Sequence, residues 1–324
     1  MKAVVQDRYG SADVVRVEEV DKPSIGDGEV LVKVHAAGVD RGVWHLMTGK
    51  PYIMRVMGFG YRGPKVRVRG REVAGEVAAT GKDVTRFRPG DRVFGIAEGT
   101  FAEYVAAQEG RLAAMPANLT YEQAAPVAIS GLTALQAVRD AAKVKAGQKV
   151  LVIGASGGVG TYAVQIAKAF GAEVTGVCST SAVDIVRSIG ADHVVDYTRE
   201  DFVEGNLRYD VILDLAGNRP LSQLRRALAP EGTLVIVGGE GGGQWFGGIG
   251  RGMIRGPFLS LFVGQSMRPF ITKEASEDMV LLKGLIEEGK VRPVIERTYR
   301  LSEGVDALRR LEQGHSRGKL VVVV

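Results

Sequence analysis

The stretch from Lys149 to Phe170 constrains this chain more than any other part of it. Lys149-Val150-Leu151-Val152-Ile153 is an apolar run of the length of a strand buried on both faces. Val159, Ala163, Val164, Ala167 and Phe170 then recur at helical spacing and form one apolar face. Between them lies Gly154-Ala155-Ser156-Gly157-Gly158-Val159-Gly160, with glycines at 154, 157 and 160. A buried strand, a glycine turn and a helix in direct succession open a strand–helix–strand unit, and such units stack into a parallel sheet covered on both faces.

The pattern continues downstream. Glu173 to Cys178 reads as a second strand, Ser181 to Ile189 as a helix, and His193 to Asp196, Asp210 to Leu215 and Thr233 to Val237 as further strands. Before about Gln123 the chain is different: short strands at Val14 to Val20, Glu29 to Ala36, Val73 to Ala79 and Val93 to Ile96, punctuated by glycine and proline. Glu240 to Gly256 is glycine-rich and is predicted as a mobile loop, and Ala275 to Glu288 as a helix. The tail reads as strand (Tyr299 to Leu301), helix (Ser302 to Gln313) and strand (Lys319 to Val324). The expected fold class is α/β, with a β-rich domain and a doubly wound parallel-sheet domain.

At 324 residues the chain has room for two domains. The net charge of +5 is modest and its basic residues are spread along the sequence, so nothing argues for nucleic acid or a membrane surface as partner. The opening Met1-Lys2-Ala3-Val4-Val5 turns polar at Gln6-Asp7-Arg8, too soon for a signal peptide or a membrane helix, and a cytoplasmic location is expected. Cys178 is the only cysteine, which excludes an intramolecular disulfide and a cysteine cluster for structural zinc.

A dinucleotide pyrophosphate needs a tight turn, unobstructed backbone N–H groups and the positive end of a helix. Gly154 and Gly157 permit the turn and the approach, and Gly160 lets helix and strand pack closely. Gly154, Ala155, Ser156, Gly157, Gly158, Val159 and Gly160 are therefore candidate cofactor-binding residues; a purely structural turn is the competing reading. An acid at the end of the second strand would bind the ribose hydroxyls of NAD and repel a phosphate. Here that end reads Cys178-Ser179-Thr180-Ser181, whose hydroxyls can donate to a 2′-phosphate, and the nearest acid, Asp184, falls inside the predicted helix. NADPH is the expected cofactor.

Four segments together resemble the medium-chain dehydrogenase/reductase superfamily over nearly the whole chain: Val30 to Val39 (VLVKVHAAGV), Gly70 to Val93 (GREVAGEVAATGKDVTRFRPGDRV), Val150 to Lys168 (VLVIGASGGVGTYAVQIAK) and Gly289 to Val323 (GKVRPVIERTYRLSEGVDALRRLEQGHSRGKLVVV). The resemblance implies a split GroES-like catalytic domain (1–122 and 264–324) around a Rossmann domain (123–263), with the active site in the cleft between them. Zinc enzymes of this superfamily carry a cysteine after the glycine-valine pair, a Gly-His-Glu motif and a third ligand, a cysteine, near Ile129 to Gly131. Here the first two positions read Asp40 and Gly70-Arg71-Glu72, and the third has no cysteine. His35, His45, His193 and His315 show no paired metal spacing, so no metal ligands are expected.

The zinc-independent quinone oxidoreductase branch is the closest match. It implies hydride transfer from NADPH to a quinone or an α,β-unsaturated carbonyl, an already electrophilic acceptor for which orientation matters more than a Lewis acid. It also implies Ser179, Thr180, Ser181 and Tyr197 around the 2′-phosphate with Arg317 nearby, Gly238, Gly239, Phe262 and Val263 towards the nicotinamide, and further cofactor contacts at Asp40 and Thr133. The branch often has asparagine where Asp40 stands and aspartate where Val43 stands. It further implies a homodimer, through an edge strand at Phe258 to Val263. A NADPH-binding sensor or scaffold with little turnover is the alternative reading.

Reduction leaves an oxyanion to be stabilised and protonated, and Tyr52, Tyr61 and His45 are the candidate donors, with ordered water as a further one. Trp44 offers a flat wall for an aromatic substrate. The stretch Arg55 to Arg71 holds Arg55, Arg62, Lys65, Arg67, Arg69 and Arg71 without an acid, and reads either as a patch that steers an anionic substrate or as a solvated loop. Arg71, at the vanished zinc-ligand position, is the fourth catalytic candidate.

Overall fold

The computed structural model describes residues 1–205, 207–238, 243–246, 260 and 263–324. Seven strands come first: β1 (Lys2–Gln6), β2 (Val15–Glu19), β3 (Glu29–Val39), β4 (Glu72–Thr80), β5 (Arg92–Ile96), β6 (Tyr104–Gln108) and β7 (Leu112–Ala114). Six follow: β8 (Lys149–Ile153), β9 (Glu173–Cys178), β10 (His193–Asp196), β11 (Tyr209–Asp214), β12 (Leu228–Ile236) and β13 (Ser266–Pro269). The chain closes with β14 (Ile295–Arg300) and β15 (Lys319–Val323). It divides into a β-rich unit, Met1–Leu132 with Glu274–Gly289 and Pro293–Val324, and a second unit, Thr133–Lys273 with Lys290–Arg292.

In the β-rich unit one sheet runs in the order β14-β15-β3-β4-β5-β7, with β6 also on β3, and β1 pairs with β2. Val30, Val32 and Val34 alternate along β3 into a core shared with Val73, Val77, Val93, Leu320 and Val322. The C-terminal strand β15 lies antiparallel to β3, from Leu320 opposite Val39 to Val323 opposite Ala36. The tail therefore belongs to the same core as the first forty residues.

A buried ion pair ties these segments together. Lys319 Nζ donates to Glu72 Oε2 at 2.7 Å and to Ser130 Oγ at 2.8 Å, and Glu72 Oε1 accepts from the Ile129 amide at 2.7 Å. Glu72 is fully buried and Lys319 is 2% exposed. Burial pushes the Glu72 carboxyl above the usual range, while Lys319 acts in the opposite sense. Gly38 on β3 must be glycine, because a Cβ there would stand 2.3 Å from Glu72 Oε2.

The second unit is a six-stranded sheet in the order β10-β9-β8-β11-β12-β13, every pair parallel. Counted within the unit, the strands lie third, second, first, fourth, fifth, sixth, so the chain order reverses between β8 and β11. Leu151, Ile153, Ile212 and Leu234 are buried in its core.

The unit boundaries differ from the expected breaks at 122/123 and 263/264. The helix Tyr121–Ala124 and the start of the helix Ala128–Gln136 stay with the β-rich unit, where the Ile129 and Ser130 amides donate to Glu72. Residues 264–273 belong to the second unit, because β13 is the sixth strand of the parallel sheet, with Thr233 opposite Ser266 and Ile236 opposite Pro269. The helix expected from Ser181 starts as a 3-10 turn at Thr180–Ala182 before Val183–Ser188, and β14 begins earlier than the strand expected at Tyr299.

Removing one partner of a buried pair strands the other charge, so Lys319→Met is expected to lower stability by about 3–5 kcal/mol in urea unfolding. The double variant Glu72→Leu with Lys319→Met should recover a large part of that loss, because no uncompensated charge is left.

Candidate functional site

The glycine turn follows β8 directly, at the carboxyl end of the strand where the sheet order reverses. Gly154 has φ +85°, which a side chain strongly disfavours. At Gly160 a Cβ would stand 2.0 Å from Gly154 O, so helix and turn meet closely enough to require glycine. The helix Gly158–Ala169 has Gly157 as its N-cap, and no side chain caps its first amides. Ala155 is fully buried under the turn, while Ser156, Gly157, Gly158 and Val159 are half-buried. Amides, helix dipole and absent side chains together fit a dinucleotide pyrophosphate.

At the end of β9 the hydroxyls are present, but they already have a partner. Thr180 Oγ1 donates to Asp196 Oδ2 at 2.6 Å, and Thr198 Oγ1 donates to Asp196 Oδ1 at 2.7 Å. Asp196 closes β10 in register with Cys178, and the Thr180 hydrogen bond holds its carboxyl below the usual carboxylate range. Ser179 and Ser181 share a contact of 3.4 Å between their hydroxyls. Examination of β9 alone misses this acid; the parallel register of β10 against β9 is the signal that finds it. Thr180 and Asp196 line an open surface cavity of about 560 Å³ together with Asp184, Arg187, Arg199 and Glu200. Arg187 and Arg199 are thus cations beside the expected phosphate position. Tyr197 is 45% exposed and its amide donates to Cys178 O at 3.1 Å. Burial pushes the Cys178 thiol up to about 11, which leaves it unreactive at neutral pH.

The other expected cofactor residues fall in several places. Thr133 Oγ1 shares a hydrogen bond with Thr272 Oγ1 at 2.9 Å. The Gly238 amide donates to Asp214 O at 2.9 Å, and a Cβ there would stand 2.1 Å from Leu215 O. Val263 packs half-buried against the second unit's core. Gly239 and Phe262 lie outside the described residues, as does most of the expected loop at 240–256 and of the expected edge strand at 258–263; the described edge next to β12 is β13. Arg317 sits in the β-rich unit before β15, its amide donating to Glu296 Oε2 at 2.6 Å. Asp40 acts as N-cap of the helix Arg41–Thr48, with Oδ1 accepting from the Gly42 amide at 2.7 Å.

The donor set does not fit a catalytic zinc. Asp40 is a helix cap, Glu72 is committed to Lys319 and two amides, and between them in the motif stands the cation Arg71, ion-paired with Glu98 and Glu274. Glu274 also pairs with Arg111.

Of the proton-donor candidates, Tyr61 is 77% exposed. Tyr52 is half-buried with the Arg55 guanidinium 4.8 Å from its ring, and Tyr9 meets the same guanidinium at 4.3 Å. His45 Nδ1 donates to Lys50 O at 2.7 Å, which fixes the tautomer and makes Nε2 the acceptor in the neutral ring. Trp44 is partly buried against the β-rich core, with Arg41 over its ring at 4.1 Å. Within the basic run, Arg67 pairs with Asp7 and Glu18 and Arg71 as above, while Arg55 donates to the backbone of Gly49 and Thr48.

Residues 26–117 match the family model described as alcohol dehydrogenase GroES-like domain, and residues 189–322 that described as zinc-binding dehydrogenase. The mouse protein named NAD(P)H oxidoreductase RTN4IP1, mitochondrial (Mus musculus), is 34% identical over 100% of this chain and 89% of its own length. The quinone-oxidoreductase QR1, chloroplastic, of Triphysaria versicolor is 31% identical over 99% of this chain and 98% of its own. Among solved structures, the quinone oxidoreductase from Coxiella burnetii superposes with a TM-score of 0.87 at 29% identity, covering 100% of this chain and 99% of that one. The β-rich unit is accordingly GroES-like and the second unit is a Rossmann domain.

Two glycine variants separate packing from ligand approach. Gly160→Ala is expected to lower the melting temperature, because its Cβ overlaps the Gly154 carbonyl. Gly157→Ala meets only an ordinary contact of 3.4 Å and should keep the melting temperature near the parent's. Its methyl group nevertheless crowds the phosphate approach, and about tenfold weaker binding of the reduced nicotinamide cofactor is expected in a fluorescence titration.

Proposed function

Because the chain belongs to the medium-chain dehydrogenase/reductase superfamily, in its quinone-oxidoreductase-like branch, we propose that it is a zinc-independent, NADPH-dependent reductase of quinones and α,β-unsaturated carbonyls. That it is an oxidoreductase using a nicotinamide cofactor is the broader statement within which this reading sits. The observation that carries the proposal is the pairing of a dinucleotide-shaped turn at 154–160 with motif positions whose side chains are a cap, a cation and a committed carboxylate.

When bound, NADPH supplies a hydride to an electron-poor acceptor. The first-turn amides of the helix Gly158–Ala169 hold the pyrophosphate. Ser179 and Ser181 offer hydroxyls to the 2′-phosphate and Arg187 and Arg199 offer charge, while the Thr180 hydroxyl is held by Asp196. Asp184, Asp196 and Glu200 line the same cavity, so the preference for NADPH over NADH rests on the two arginines lying nearer the 2′-phosphate than the three carboxylates do. Tyr52 Oη is the proposed proton donor to the reduced acceptor; His45, whose neutral ring presents Nε2 as an acceptor, is a second candidate only as the imidazolium. A cytoplasmic location and a homodimer complete the proposal; the dimer is supported by β13 standing at the edge of the parallel sheet among the described residues.

Initial rates with NADPH and with NADH against ortho-quinones, 2-alkenals and enoyl thioesters test the reading. NADPH-preferring turnover of one of these classes is expected, and Arg187→Ala with Arg199→Ala should raise KM for NADPH about tenfold while leaving that for NADH unchanged. Tight NADPH binding without turnover of any acceptor would replace the reductase with a sensor or scaffold.

A further inference from the structure

Arg69 is the buried member of the basic run, at 3% exposure. Its backbone is fixed on both sides: its amide donates to Val4 O at 2.9 Å and its carbonyl accepts from the Phe101 amide at 2.8 Å. Among the described residues no hydrogen bond or ion pair ends on its guanidinium, and Nε is sealed from solvent without a partner. Burial pushes the group down to about 10, so it is still protonated at neutral pH. The Glu98 carboxylate acts on it only at a distance, without a hydrogen bond; a buried cation so weakly compensated is costly, and proteins retain one where something else supplies the anion.

Arg69 lines a cavity of about 160 Å³ whose other walls include Val43, Leu46 and Phe59, with Lys65 as a second cation. Glu98 also lines it, but Arg71 Nε already holds that carboxylate at 3.3 Å. Tyr9 fixes the wall, its hydroxyl reaching Phe59 O at 2.9 Å and Gly60 O at 2.7 Å. A cavity of roughly 150 Å³ accepts a benzene-sized group. A guanidinium fork matches a carboxylate with two parallel hydrogen bonds.

We propose that this cavity is a binding subsite for the carboxylate of a small apolar acid, aromatic or short-chain aliphatic, with Arg69 as its bidentate partner. The site lies wholly within the β-rich unit and stands or falls apart from the reductase reading.

Calorimetric titration of the full chain with benzoate and with neutral benzamide, in the absence of nicotinamide cofactor, tests it. Benzoate is expected to bind at least about tenfold tighter than benzamide. Arg69→Met should lose at least about tenfold in benzoate affinity while melting no lower than the parent, since it removes a buried charge that Glu98 compensates only weakly. Arg69→Lys keeps the charge without the fork and should also weaken binding, which provides a second reading if the methionine variant misfolds. Equal affinity for benzoate and benzamide, or an Arg69→Met variant that binds benzoate like the parent, would overturn the proposal. Where acceptor turnover is measurable, benzoate competing with the acceptor marks the acid as part of the substrate; inhibition without competition marks a separate ligand, and either outcome upholds the subsite.

Discussion

The ion pair between Glu72 and Lys319 is the constraint on which the β-rich unit depends. A carboxylate on β4 and an ammonium on the last strand meet with no water between them, 247 residues apart in sequence, and Ser130 joins from a third segment. The pair gives little net stability by itself, because desolvation offsets most of its attraction. Its effect is on arrangement: any register of β15 that fails to bring Lys319 to Glu72 strands a buried charge. The same carboxylate accepts from the Ile129 and Ser130 amides at a helix start and leaves no room for a side chain at Gly38, so three segments of the unit meet at one residue.

How much of this is legible in the sequence depends on whether the signal is local. The run at 149–153, the glycine turn and the helix after it carry periodicity and composition within about twenty residues, and their structure follows the reading closely. The unit boundaries do not, because they are decided by distant partners. Ala128 to Leu132 looks like the start of the second unit until Glu72 is seen to hold its amides, and Ser266–Pro269 offers a single buried apolar residue, Met267, from which no strand can be inferred. β1 is illegible for a related reason: Lys2–Gln6 is apolar in the middle and polar at its ends, and its pairing with β2 on one side and with Val68 and Ala102 on the other makes it a strand.

The site shows the same division. The turn glycines are explained by their own geometry, but the environment of Thr180 is set by Asp196, an acid sixteen positions on that arrives only through strand pairing. Likewise Arg67, Arg69 and Arg71 look equivalent in a basic run. Strand-like alternation sends the first and last to carboxylates and the middle one inward to a cavity. Charge patterning in sequence counts charges; it does not say which of them have partners.

In the proposed reaction the protein reduces its acceptor with a nicotinamide cofactor and no catalytic metal. The measurement that tests it most directly is acceptor-dependent NADPH oxidation on a sample whose zinc content is determined in parallel, before and after chelation. Full turnover at far less than stoichiometric zinc, unchanged by the chelator, is the predicted result. Turnover that rises with bound zinc, disappears on chelation and returns when zinc is restored would contradict it.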